Sequence, residues 1–377
     1  MLNSKYSKVT VIVHEASATG APILLLNLLS LMKNEWECDF FIILLRGGQL
    51  EDSFHSLGNV LIIKPADYST KKFFPKLYYL FRSRWRLLIS IRRSNNTAFI
   101  LNNSMINGWA VNWLRFSKKP IVTYVHELSY VAHLYSMKRN VIPVLNESQI
   151  FLYPCEKVKE YLLSLGVQNQ LLYRLNYFFN LDHFNEHKIF EVSGAHQELR
   201  ICAVGMASYR KGTDLFIEIA NKVVRGHPNI FFTWIGGFAS PKDEKNYLSS
   251  IDMNCRSNIE FTGLLPPEQV KNLYANYDIL LLTSREDPYP LVVLEAAAHK
   301  IPSIVFRDSG GISDFVDEKT GFLFDMSDTD RLAAFIPGLT HENLYQKGHN
   351  AYDRFLEMHT KKNVILHQLD AALSTIK

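Results

Sequence analysis

The chain is poor in cysteine, in apolar runs of membrane length and in net charge. Its 377 residues hold four cysteines, Cys38, Cys155, Cys202 and Cys255. They are widely scattered with no C-x-x-C pair, which excludes a short-spaced zinc site or a disulfide framework and makes a reducing cytoplasm the expected home. No apolar run reaches the roughly 20 residues that cross a bilayer. The strand-like Val9–Val13 follows so soon after M-L-N-S-K-Y-S-K that no secretory h-region precedes it, and neither export nor membrane insertion is expected. The 41 cations nearly balance 37 acids, leaving a net charge of +4. With no nucleic-acid motif alongside, so small an excess argues against a nucleic-acid partner or a polyanion-binding protein. His14-Glu15 and His126-Glu127 each end a buried strand, yet neither has the third ligand at short spacing that a metal requires. Repeats of solenoid period and low-complexity tracts are also missing.

What is present is a soluble composition, 47% apolar and 21% charged, on a length that suits about two domains. Strand and helix periods alternate throughout. Val9–Val13, Cys38–Leu44, Ala98–Leu101 and Ile121–Val125 read as strands, with helices over Ile23–Met32 and Lys76–Ile91. A short strand and helix follow in Asn146–Leu165, and the irregular Asn176–Val192 is the expected linker. A second series has strands at Leu199–Val204, Ile230–Ile235, Ile279–Thr283 and Ser303–Phe306, with helices at Thr213–Arg225 and Glu268–Ala275. The pattern predicts an α/β protein of two Rossmann-like, doubly wound domains, residues 1–183 and 184–351. A last amphipathic helix, roughly Ala351–Ser374, closes the chain.

The most informative stretch is R-E-D-P-Y-P-L-V-V-L-E-A-A-A-H-K from Arg285. Asp287 precedes a helix and Glu295 lies one turn inside it, so both acids flank a helix N-terminus whose amides favour a phosphate. The buried strand before them places that terminus beyond a strand end, where α/β sheets bind ligands. Val204-Gly205-Met206-Ala207-Ser208-Tyr209-Arg210-Lys211-Gly212 sets two cations at another strand end, suited to a departing diphosphate. In His14-Glu15-Ala16-Ser17-Ala18-Thr19-Gly20-Ala21-Pro22, Gly20 lets backbone approach a ligand closely at a helix start.

These motifs resemble the retaining glycosyltransferases of family four, the group 1 glycosyltransferases of the glycosyltransferase B fold. The resemblance spans nearly the whole chain and is most specific over residues 199–325. It implies two domains facing across a cleft, the first binding acceptor and the second a nucleotide-sugar, with the terminal helix, about 352–377, packing back on the first. It also implies roles. Glu295 would hold the ribose and Asp287 the donor sugar. Lys211, with Arg210, and backbone amides near Leu291 and Gly311 would steady the leaving diphosphate, with Val292 also at the donor site. Ser309-Gly310-Gly311-Ile312 would lie near the donor, Phe261-Thr262-Gly263-Leu264-Leu265 beside the base, the Gly20 loop opposite the donor, and His126 against its sugar. Three departures stand out: Met206 where the family often has Arg, Asp287 where Glu is commoner, and Pro290 where glycine often supplies an amide.

The implied activity is transfer of a hexose from a UDP- or GDP-sugar to a glycan or lipid-linked acceptor, with retention and with neither metal nor cofactor. Bacterial surface polysaccharide or lipopolysaccharide biosynthesis is the setting it suggests. A nucleotide-sugar epimerase of related architecture is the alternative. Residues 71–93 carry eight cations and no acid, interleaved with aromatics. Such a segment suits an anionic membrane surface, so peripheral attachment to the inner face of the cytoplasmic membrane is expected.

Overall fold

The computed structural model describes residues 6–64, 85–181, 198–266, 269–270 and 273–376. They form two compact units, Met1–Phe179 with Lys361–Lys377, and Asn180–Thr360. Both are built on parallel sheets.

In the first unit, β1 (Lys8–Val13), β2 (Asp39–Arg46), β3 (Gly58–Lys64), β4 (Phe99–Asn102), β5 (Ile121–Tyr124), β6 (Ile150–Tyr153) and β7 (Leu172–Arg174) lie in the order β3-β2-β1-β4-β5-β6-β7. Val9, Val11, Ile12, Ile42, Ile43, Ile100, Leu101 and Val122 are all fully buried. Burial on both faces is why these strands read as continuous apolar runs rather than as alternation. Helix Gly20–Trp36 buries Leu24, Leu25, Leu28, Leu29 and Met32, the spacing of one helical stripe. Helix Glu51–Leu57 and β3 were not legible, because β3 is only half-buried along most of its length.

Two expectations in this unit change. The start of the expected linker is core: Tyr177, Phe178 and Phe179 are buried, and the Asn27 amide donates to the Phe178 carbonyl at 3.2 Å. The terminal helix is not continuous. Helix His341–Phe355 gives way to a π turn, Leu356–Thr360, before helix Lys362–Leu373. The Thr360 hydroxyl donates to the Leu356 carbonyl at 2.7 Å, competing with the backbone ladder. The break falls where the chain passes from the second unit to the first. Lys362–Leu373 then buries Ile365, Leu369, Ala372 and Leu373, and the Asn176 amide donates to Gln368 at 3.0 Å.

Of the basic segment, residues 71–84 lie outside the described residues, and 85–94 are helical. Arg86 donates to the Ile62 carbonyl. Arg93 donates to Asn59 at 3.1 Å and lies over the Phe41 ring. Trp85 and Leu88 are exposed. No helix among the described residues is long and apolar enough to cross a membrane.

In the second unit, β8 (Leu199–Val204), β9 (Ile230–Ile235), β10 (Ile259–Phe261), β11 (Ile279–Leu282), β12 (Ser303–Phe306) and β13 (Gly321–Phe324) take the order β10-β9-β8-β11-β12-β13. Chain direction across the sheet reverses between β8 and β11, the switch point where loops from neighbouring strand ends diverge and leave a crevice. Helix Thr213–Gly226 covers the sheet through Phe216, whose ring meets Phe232 edge-on at 5.7 Å and Trp234 at 5.2 Å. Burying a side chain of that size contributes about 2–3 kcal/mol. The expected helix Glu268–Ala275 falls partly outside the described residues, and its end is a 3-10 turn, Tyr274–Asn276.

Candidate active site

At the switch point of the second unit, the loop after β8 and the loop after β11 are pressed together. Gly212, at φ +67°, has no room for a Cβ against the Thr283 carbonyl, so only glycine fits there. Thr283 donates its hydroxyl to the Lys211 carbonyl at 3.1 Å. Lys211 Nζ reaches Asp287 Oδ2 at 2.5 Å, with side chains only 16% and 11% exposed. Partial burial makes this pair stronger than a surface ion pair. Arg210, the other expected cation, donates from Nη1 to the Glu286 carbonyl at 2.7 Å, so its head group is held beside Asp287. Met206 is exposed.

Asp287 is fixed from its other side. Its amide donates to the Ser309 carbonyl at 2.6 Å, and it forms a parallel bridge with Gly310 at φ +155°. The Gly311 amide donates to the Pro288 carbonyl at 2.9 Å. That leaves the glycine pair as a brace for the acid loop. Helix Leu291–Ala298 starts directly after Pro290. Its first amides, those of Leu291 and Val292, have no acceptor one turn earlier, as at any helix start.

Glu295 lies one turn into this helix and accepts the Tyr274 hydroxyl at 3.1 Å. Burial, and then the Glu295 charge, hold the Tyr274 phenol well above its ordinary pKa, so it remains a donor. The Tyr274 ring stacks on His299 at 5.2 Å, and His299 Nδ1 meets the Glu295 carbonyl at 2.8 Å. Leu264 is exposed on the loop after β10, next to Gly263 at φ +72°.

In the first unit, His126 follows β5 and Gly20 opens the helix after β1. Asn103 joins them: its amide donates to the Ala21 carbonyl at 3.1 Å, and its Oδ1 meets His126 Nε2 at 2.8 Å. That orientation requires Nε2–H, leaving Nδ1 to accept the Tyr177 hydroxyl at 3.1 Å. Burial lowers the His126 pKa to about 3, so the ring is neutral. Both ring nitrogens are thus engaged within this unit. Glu127, also buried, accepts from the Ser104 hydroxyl, from the Met105 amide at 3.1 Å and from the His126 amide at 3.0 Å. Burial pushes its carboxyl pKa up against the pull of these donors.

Residues 185–354 match the family of glycosyl transferases group 1. The second unit belongs to the group 1 glycosyltransferases. Among curated relatives, the chain is 36% identical over 110 residues to the alpha-galactosylglucosyldiacylglycerol synthase of Streptococcus pneumoniae, covering 29% of this chain and 28% of that protein. It is 28% identical over 182 residues to the processive diacylglycerol alpha-glucosyltransferase of Acholeplasma laidlawii, covering 47% and 52%. The matches therefore span about a quarter to a half of these relatives. Among solved structures, Anabaena HepE in complex with UDP and glucose superposes with a TM-score of 0.80 at 15% identity, over 98% of this chain and 100% of that one. The fold is the glycosyltransferase B fold.

Sequence reading missed Arg285, Asp214, Tyr274, Asn103 and Tyr177. Arg285 heads the acid motif and so carried a positional signal. The others contact the motif residues from 21 to 82 positions away, with no local mark.

Proposed function

We propose that this glycosyltransferase moves a sugar, with retention of anomeric configuration, from a UDP- or GDP-sugar to a glycan or lipid-linked acceptor. The observation that carries the reading is the Lys211–Asp287 pair at the β8/β11 switch point, with Glu295 one turn into the helix that follows. In this reading the diphosphate displaces Asp287 from Lys211 and lies at the helix start, where the Leu291 and Val292 amides favour anions. Lys211, supported by Arg210, then stabilises the negative charge that grows on the departing diphosphate. Asp287, released from the cation, binds hydroxyls of the donor sugar, and Glu295, steadied by Tyr274, binds the ribose. A diphosphate oxygen takes the acceptor proton. Leu264 and Gly310 shape the base and donor surroundings through their loops. His126, being neutral, would meet a sugar hydroxyl by exchanging a partner, and Gly20 keeps the neighbouring helix start approachable.

The names of two relatives, both diacylglycerol glycolipid enzymes, support a lipid-linked acceptor. Exposed Trp85 and Leu88 support attachment of the first unit to an anionic membrane surface on the cytoplasmic side. Thermal-shift screening with UDP, GDP and their sugar conjugates tests the donor class, because a ligand that binds only the folded state raises the melting temperature. The anomeric configuration of the product, read by proton NMR, tests retention. Donor consumed equally well without acceptor would favour an epimerase instead.

A further inference from the structure

We infer that Arg285 is a positioning residue that holds the cation loop in register with the acid loop; this rests on the leaving-group role proposed for Lys211. Lys211 sits on a loop with little regular structure, so its head group is only as well placed as the main chain beneath it. Three consecutive carbonyls of that loop are tied to the acid loop. The Tyr209 carbonyl accepts from Arg285 Nη1 at 2.7 Å, the Arg210 carbonyl from the Arg285 amide at 2.8 Å, and the Lys211 carbonyl from the Thr283 hydroxyl at 3.1 Å. Arg285 supplies two of the three. Its guanidinium also makes a fork with Asp214 in the first turn of helix Thr213–Gly226, at 2.7 and 2.6 Å, and lies 3.8 Å from the centre of the Tyr209 ring. The Arg210 guanidinium returns the tie, donating to the Glu286 carbonyl.

An ordinary surface ion pair joins two side chains and leaves the main chain alone. Here one planar head group spans a helix start, an aromatic ring and a loop carbonyl while its own amide binds the next carbonyl along. Lysine keeps the charge but has neither the fork nor the stacking plane. The residue is also only two positions from Asp287, so one short segment carries both the partner of Lys211 and the brace that sets its position.

A double-mutant cycle tests this, with nucleoside diphosphate release from the nucleotide-sugar that turns over as the readout. Lys211→Ala should lower kcat by roughly two to three orders of magnitude. Arg285→Ala should lower kcat by about 10- to 100-fold, the scale of a displacement near 1 Å, with KM for donor changed much less. In the Lys211→Ala background, Arg285→Ala should cost no more than about threefold, because its effect runs through Lys211. Arg285→Lys and Asp214→Asn should give intermediate losses at wild-type melting temperature, which keeps the test decisive if the alanine variant folds poorly. Equal losses from Arg285→Ala in both backgrounds, or wild-type kcat in the Arg285→Lys and Asp214→Asn variants, would overturn the positioning role while leaving Lys211 in place. Wild-type turnover in Lys211→Ala would instead refute the leaving-group role, and the Arg285 inference with it.

Discussion

Gly310→Ala distinguishes a brace from an ordinary loop glycine. Gly310 lies at φ +155°, where an L side chain is strained, and a Cβ built on it would sit 2.7 Å from the Asp287 carbonyl carbon and still closer to its oxygen. Non-bonded carbons rest about 3.5–4.0 Å apart, so the Asp287 backbone would have to retreat by roughly 1 Å. Two hydrogen bonds hold it in place: the Asp287 amide to Ser309 and the Gly311 amide to Pro288. Backbone strain costs about 1–3 kcal/mol, and loosening two bonds adds about 0.5–1.5 kcal/mol each. The expected loss is therefore about 2–6 kcal/mol, opposite in sign to the roughly 0.4–1 kcal/mol gained when alanine replaces glycine at a compatible site. Urea denaturation reads it as a lower midpoint at unchanged slope. Gly226→Ala is the control, since nothing lies within 4 Å of its Cβ position; it should be neutral or slightly stabilising. A Gly310→Ala midpoint at or above that of wild type would refute the close approach and the brace drawn from it.

The remaining expectations divide between the two units. Glu295→Gln should weaken nucleotide binding by about 1–3 kcal/mol, while Asp287→Asn should spare nucleotide affinity and depress transfer; calorimetry beside turnover separates them, and equal nucleotide affinity in both variants would contradict the ribose role. Because burial holds His126 at about 3, the unfolded chain takes up a proton below its ordinary pKa of about 6.5 that the folded chain refuses. Its contribution is therefore complete above pH 6.5 and is lost as pH falls toward 3, by up to about 1.4 kcal/mol per pH unit. His126→Gln should flatten the stability profile between about pH 4 and 6.5, and an unchanged slope would show that another group sets it. Liposome flotation should show binding to anionic but not neutral vesicles, weakened when Arg82, Arg84 and Arg86 become Glu; equal binding to both vesicle types would remove the membrane assignment.

Strands Leu199–Val204, Ile230–Ile235 and Ser303–Phe306 were legible to the residue, because largely buried strands carry short apolar-rich runs bounded by polar turns. Helix Pro241–Ser249 was not, since it buries none of its side chains and shows no apolar stripe. The terminal helix misled for the opposite reason: its apolar period continues across a break set by Thr360 and the backbone of Lys361. Within the site, the placement of Asp287 and Glu295 about a helix start followed from local signals. The Lys211–Asp287 contact joins residues 76 apart, and the Arg285–Asp214 fork joins residues 71 apart. Such pairings depend on β8 and β11 being neighbours, which strand periodicity does not state.

In the proposed reading, the β8/β11 switch point of the second unit holds a nucleoside diphosphate between Lys211 and Glu295. Calorimetric titration of UDP and GDP into the wild-type protein, Lys211→Ala and Glu295→Gln tests it most directly. Saturable binding of one of the two nucleotides by wild type is expected, weakened about fivefold or more in each variant, as loss of a charged hydrogen bond implies. Wild-type affinity in both variants, or no binding of either nucleotide by any of the three proteins, would contradict it.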